Sequence, residues 1–187
     1  QLAAQELDGI TIVVSPLLAL MREQKTELVK RGISTTAFNS ELSFDQQRQY
    51  LRHLSTTNTK LLYLSPERLQ NTLFRASLAA SNIKISLVVI DEAHCISQWG
   101  HGFRPDYNQI KPFIEFLRRL GNSPVIFALT ATLNQKPRAD ILNVFEIDDD
   151  DAIISEDIIR DNLTLVFKEV ENEEEKISIR LEKGENI

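Results

Sequence analysis

The chain has 187 residues, 42% hydrophobic and 26% charged: enough for one globular domain with a full core and room for part of a second. No apolar run reaches the ~18–20 residues of a membrane span, no basic-then-apolar leader opens the sequence, and a single cysteine, Cys95, excludes an internal disulfide, so a cytoplasmic protein (nuclear in a eukaryote) without a membrane partner is expected. The net charge of −6 divides unevenly: residues 1–145 carry 16 basic and 12 acidic side chains, a net +4, whereas 146–187 carry 5 and 15, a net −10. The mildly positive body is compatible with a phosphate-bearing partner, and the acidic end reads as a solvated linker.

Residues 1–7 read as the end of a helix that lacks its own beginning, as in a chain cut from something longer. Strand-like apolar runs follow at 11–15, 35–39, 60–65, 85–91 and 124–129. The run Ile85–Ile90 is nearly all apolar, the pattern of a central parallel strand covered on both faces. Between the first two strands Leu17, Leu20, Met21 and Leu28 share a helical face, and Gly32 follows as a stop. Ser43-Phe44-Asp45-Gln46 then forms a capping-box start, with Phe44, Leu51 and Leu54 on one side and His53 among polar neighbours. A third stripe, Ile110, Phe113, Ile114, Leu117 and Leu120, closes at Gly121, and Asn134 opens a fourth helix carrying Ile141, Leu142 and Phe145. The acids at 148–151 break the pattern; past them 163–170 reads as a strand and 172–181 as a helix. This order predicts an α/β fold, a parallel sheet flanked by helices on both faces, over 1–147, with 148–187 as an acidic linker and the start of a second unit.

Ligands of such sheets collect beyond the carboxyl ends of the strands. Ser15, Ser65, Asp91-Glu92 and Thr130-Ala131-Thr132 all fall there. Mg²⁺ takes oxygen ligands, keeps several waters and rests on one or two carboxylates plus substrate phosphates. Asp91, at the end of the most apolar strand, suits that role, and Glu92 suits the aiming of a water at a γ-phosphate.

 The spacing of His94 matches no zinc signature, so a polar relay to another loop is the expected role. No Gly-Lys-Ser or Gly-Lys-Thr occurs to close a phosphate loop, which is expected upstream of Gln1. After the acids, Trp99, Phe103 and Tyr107 recur every four residues with Arg104 among them, while Gly100, Gly102 and Pro105 interrupt any helix. Such a loop suits stacking on unpaired bases, at ~1–3 kcal/mol per base, or anchoring of rings in the core. Ser15-Pro16, Asn39-Ser40 and Ser65-Pro66-Glu67-Arg68 sit at strand ends, where hydroxyls, helix amides and arginine contact phosphates or simply start helices.

Together these segments resemble the RecQ family of DNA helicases, within helicase superfamily 2, over about residues 1–163. The second motif resembles 13–21 and the Pro-Glu-Arg motif 64–69; the DEAH box and aromatic-rich loop resemble 91–107, the third motif 128–132, and the crossing to the second lobe 160–163. Gly102 stands where the family usually has Asp, and Asp161 where it has Pro. The resemblance implies a RecA-like lobe and 3′-5′ unwinding of DNA, single-stranded or at a duplex junction, driven by ATP with Mg²⁺. It implies catalytic Asp91, Glu92 and His94, with the metal on Asp91 through water, and His94 linked to the third motif. DNA binding and coupling fall to Ser15, Pro16, Asn39, Ser65, Arg68, Gln98, Trp99, His101, Phe103, Arg104, Tyr107, Thr130 and Thr132.

Two other readings stay open: a nucleic-acid-binding module without hydrolysis, and an RNA helicase of the same superfamily. A zinc hydrolase is the weakest. Because the sequence holds no phosphate loop, the 187-residue chain alone is expected to hydrolyse almost no ATP; DNA-stimulated turnover in a phosphate-release assay would refute this.

Overall fold

In the computed structural model, residues 1–52, 56, 58–97, 104–131 and 135–147 are described. The element order is α1 (Leu2–Glu6), β1 (Ile10–Val14), α2 (Leu18–Lys30), β2 (Thr35–Phe38), α3 (Phe44–Arg52), β3 (Leu61–Leu64), α4 (Thr72–Ser81), β4 (Ile85–Ile90), α5 (Ile110–Arg119), β5 (Val125–Ala128) and α6 (Gln135–Phe145). Short 3₁₀ turns occupy Pro66–Gln70, Ala93–Ile96 and Pro105–Gln109. All five predicted strands are present, and they form one parallel sheet in the order β2-β3-β1-β4-β5.

The even-numbered side chains of the central strands, Ile12, Val14, Leu62, Leu64, Val88 and Ile90, face the larger core. Phe74 and Leu78 of α4, Ile110, Phe113 and Leu117 of α5 and Ile141 of α6 close it. Phe38, Phe74 and Phe113 stack in series through it, with centroids 5.2 and 6.2 Å apart. On the opposite face Val13, Leu61 and Tyr63 pack under Ala4 of α1 and Met21 and Leu28 of α2. Helices therefore cover both faces, as predicted, but the second face is open over β5, where Val125, Phe127 and Leu129 are exposed.

The capping box is made in full: the Gln46 amide donates to Ser43 Oγ at 3.3 Å and the Ser43 amide to Gln46 Oε1 at 2.8 Å. Phe44, expected on the apolar side of that helix, is exposed beneath the Arg48 guanidinium at the first helical position. Leu17 and Leu120 are likewise exposed, each at a helix boundary. Helix α4 falls in a stretch where the sequence suggested no element. Its signals are modest: Asn71 caps it by accepting from the Phe74 amide at 2.8 Å, Phe74 and Leu78 alone are buried, and Asn82 ends it in the left-handed region. The side chains of Leu51 and Leu54, Asn134, and the linker and second unit at 148–187 lie outside the described residues.

Gly9 sets where β1 enters the sheet. Its φ is +96°, and an added Cβ would lie 2.4 Å from the Lys84 carbonyl oxygen, the same atom that accepts the Ile10 amide. Gly32 also has positive φ, but open space surrounds it. Gly9→Ala is expected to cost about 2 kcal/mol or more, from backbone strain plus displacement of the β4 entry. Gly32→Ala should cost only about 1 kcal/mol. Urea denaturation checks the ranking, and equal losses would contradict it.

Candidate functional site

The site follows from register. Val14 of β1 lies opposite Ile90 of β4, and the ladder runs one step further, the Asp91 amide donating to the Val14 carbonyl at 2.9 Å. Ser15 and Asp91 are therefore neighbours, and Ser15 Oγ donates to Asp91 Oδ2 at 2.9 Å. The chain leaves β1 toward β2 on one side of the sheet and leaves β4 toward β5 on the other, so these residues occupy the switch point where such sheets bind ligands.

The other oxygen of Asp91, Oδ1, accepts the Glu92 amide at 3.0 Å. Glu92 has φ 50° and ψ 45°, a left-handed conformation that a non-glycine residue holds only under constraint. The constraint is visible: the Ala93 amide donates to the Leu129 carbonyl at 2.8 Å, and the Cys95 amide to the Glu92 carbonyl at 2.9 Å. His94 Nδ1 lies 3.2 Å from Glu92 Oε2 and 3.0 Å from Thr130 Oγ1. One ring nitrogen thus faces both the second acid and Thr130, just past β5.

Asp91, Glu92 and His94 are half-buried, accessible to a ligand yet partly screened from water. Asp91 opens into a cavity of about 200 Å³ whose lining includes Thr11, Gln24 and Tyr63. Thr11 Oγ1 is buried there without a hydrogen-bond partner. An ionised carboxylate with a serine hydroxyl beside it is a hard-oxygen donor set and suits a hydrated Mg²⁺. Among the described residues no cluster of three or more His, Cys, Asp or Glu could hold a metal without phosphate oxygens.

The segment after the acids returns to them. The Arg104 amide donates to the Cys95 carbonyl at 3.2 Å, closing the loop at its base. Tyr107 is buried, and its hydroxyl donates to the Asp91 carbonyl at 2.8 Å. Stacking on bases is therefore not open to this ring: Tyr107 is an anchor, one of the two readings its spacing allowed. Three other residues expected to touch DNA are buried as well. Ser15, Asn39 and Ser65 are buried, and their polar atoms are committed to Asp91, to the Glu41 amide at 3.1 Å and to Glu67 at 2.5 Å. Ser15 reaches across to the neighbouring strand, whereas Asn39 and Ser65 bond two residues along their own segments.

Arg68 is partly exposed, lies over the Phe38 ring at 5.8 Å and donates to Gln47 Oε1 at 3.4 Å. Pro16, Ser65, Pro66, Glu67 and Arg104 line a groove of about 190 Å³ beyond the carboxyl ends of β1 and β3. Leu18 and Asp106, which the sequence did not single out, complete its walls; only the strand order brings them there. Gln98, Trp99, His101, Phe103 and Thr132 lie outside the described residues.

An acid pair thus stands at a parallel-sheet switch point with a histidine link to the segment after the next strand. The chain belongs to the DEAD/DEAH box helicase family, which matches residues 1–141. Within it the likeness is to RecQ helicases. The chain is 43% identical over 142 residues to the ATP-dependent DNA helicase RecQ of Pasteurella multocida, covering 76% of this chain and 22% of that protein. It is 38% identical over 188 residues to the probable ATP-dependent DNA helicase RecS of Bacillus subtilis, covering all of this chain and 36% of that one. The chain thus spans about a fifth to a third of these relatives. Among solved structures, the helicase MrfA bound to DNA and AMPPNP superposes with a TM-score of 0.59 at 18% identity, over 76% of this chain and 20% of that one, a likeness of fold.

Burial raises the hydroxyl pKa of all three tyrosines, Tyr50, Tyr63 and Tyr107. A raised folded value means their contribution is whole below the unfolded value of about 10 and is lost as pH climbs past it. Tyrosinate absorbance is therefore expected to appear only together with loss of helical circular dichroism, and Tyr107→Phe should move that alkaline midpoint upward. Ionisation near pH 10 in an intact fold would show the rings to be accessible.

Proposed function

We propose that this chain is the first RecA-like lobe of an ATP-dependent 3′-5′ DNA helicase of RecQ type, with residues 148–187 leading into the second lobe. The observation that carries the reading is the double tie at Asp91: one side faces the nucleotide cavity, and the other is bonded through Tyr107 to the base of the aromatic loop. The names of the relatives, ATP-dependent DNA helicases, support DNA and ATP as partners.

Asp91 would hold a hydrated Mg²⁺, which when bound neutralises phosphate charge. Ser15 fixes the rotamer of that carboxylate, and Glu92 orients and deprotonates the attacking water. His94 ties Glu92 to Thr130, so the position of β5 reaches the base. Pro16, Arg68 and Arg104 supply the rim along which a DNA backbone lies, and Gln98, Trp99, His101, Phe103 and Thr132 complete the strand contacts and the coupling. Such a motor would serve DNA repair or recombination, in a bacterial cytoplasm or a nucleus, on single strands or at duplex junctions.

The test uses this chain joined to a phosphate loop and a second lobe. Single-stranded DNA is expected to stimulate ATP hydrolysis. Glu92→Gln should lower turnover about 10²–10⁴-fold while nucleotide binding persists, and Trp99→Ala should lower the ratio of DNA-stimulated to unstimulated turnover. Equal stimulation by RNA would favour the RNA-helicase reading, and DNA binding without any hydrolysis the non-hydrolysing module.

A further inference from the structure

The bond between Ser97 and Asp140 plays no part in the site described so far. Ser97 follows the 3₁₀ turn that carries His94, its amide donating to the His94 carbonyl at 3.1 Å, and it is fully buried. Its hydroxyl donates to Asp140 Oδ2 at 2.6 Å, across 43 residues of sequence. Asp140 sits on α6 next to Ile141, which is buried in the larger core, so the carboxylate is held on a fixed helix. The distance is that of a charge-assisted O–H···O⁻ bond, about 2.5–2.7 Å.

Among the described residues, this bond joins two others between the acid-bearing turn and the β5–α6 segment. The Ala93 amide reaches Leu129, His94 reaches Thr130, and Ser97 reaches Asp140. The first two hold the turn near Glu92. The third holds its far end, on the helix rather than on the strand. A left-handed residue such as Glu92 returns to ordinary backbone angles when its surroundings loosen. We propose that Ser97 and Asp140 are a positioning pair for Glu92: their bond clamps the acid-bearing turn to α6, so that the rate of water attack depends on where α6 stands. The proposal rests on the helicase reading.

The variants are Ser97→Ala, Asp140→Ala, the double variant, and Asp140→Asn, which keeps an acceptor without the charge. Trp99, the sole tryptophan, follows Ser97 by two residues and reports on this end of the turn without any nucleotide. In the 187-residue chain, Ser97→Ala and Asp140→Ala are expected to shift its emission to the same extent, and the double variant no further. In the longer protein each single variant should lower the DNA-stimulated kcat about tenfold with the KM for ATP within about twofold, since small misplacements of a catalytic group act on kcat. The double variant should be no slower than the slower single one, and Asp140→Asn should fall between Asp140→Ala and the parent. Losses that multiply in the double variant, or an emission shift in only one single variant, would overturn the pairing. A parent protein without DNA-stimulated turnover would sink the helicase reading instead, and the emission series would still decide whether the bond exists.

Discussion

One ladder step organises this molecule. The β1–β4 pairing sets Val14 against Ile90, and the next residues on each strand, Ser15 and Asp91, meet as hydroxyl and carboxylate. A slip of one residue would turn Asp91 to the other face of the sheet and put an apolar side chain at the switch point. The register is held from both sides, because β1 also pairs with β3 and the side chains of three strands alternate between two packed cores. The position of the acid is thus guaranteed by hydrophobic burial far from it, which is cheaper than holding an exposed carboxylate with surface contacts alone.

Beyond that step the backbone must do something unfavourable. Glu92 adopts left-handed angles, and the strand turns at once into a 3₁₀ segment. Bonds from Ala93, His94 and Ser97 to the β5–α6 segment hold the turn. Below, the Tyr107 hydroxyl caps the Asp91 carbonyl, and the Arg104 amide closes the loop base on Cys95. Both ends of the aromatic loop therefore rest on the floor of the acid pair, giving a short mechanical path from anything that moves the loop to the carboxylates.

The strands and the acid pair were legible because their signals are local. Buried parallel strands read as apolar runs, and an Asp-Glu pair that ends one of them is hard to place elsewhere. The capping box was legible for the same reason. Helix α4 was not, since only Phe74 and Leu78 mark its buried face and no capping box precedes it. Nor could the sequence tell that Ser15, Asn39, Ser65 and Tyr107 face inward. For Ser15 the outcome depends on the β1–β4 register, which involves a residue 76 positions away. The Tyr107 spacing fitted a stacking platform and a core anchor equally, and only the packing beneath β4 separates them.

The same sheet ties its second acid to its least supported strand. Among the described residues β5 pairs with β4 alone, and its Val125, Phe127 and Leu129 stand exposed on the face that α1 and α2 cover elsewhere. By contrast β1 and β4 are flanked by strands on both sides. Displacing β5 opposes one ladder and one packed face, whereas displacing β1 or β4 opposes two of each, so thermal motion and ligand work act first on β5. That strand accepts the Ala93 amide and leads into Thr130, the partner of His94. The rigid centre fixes Asp91, while Glu92 is tied through His94 to the yielding edge.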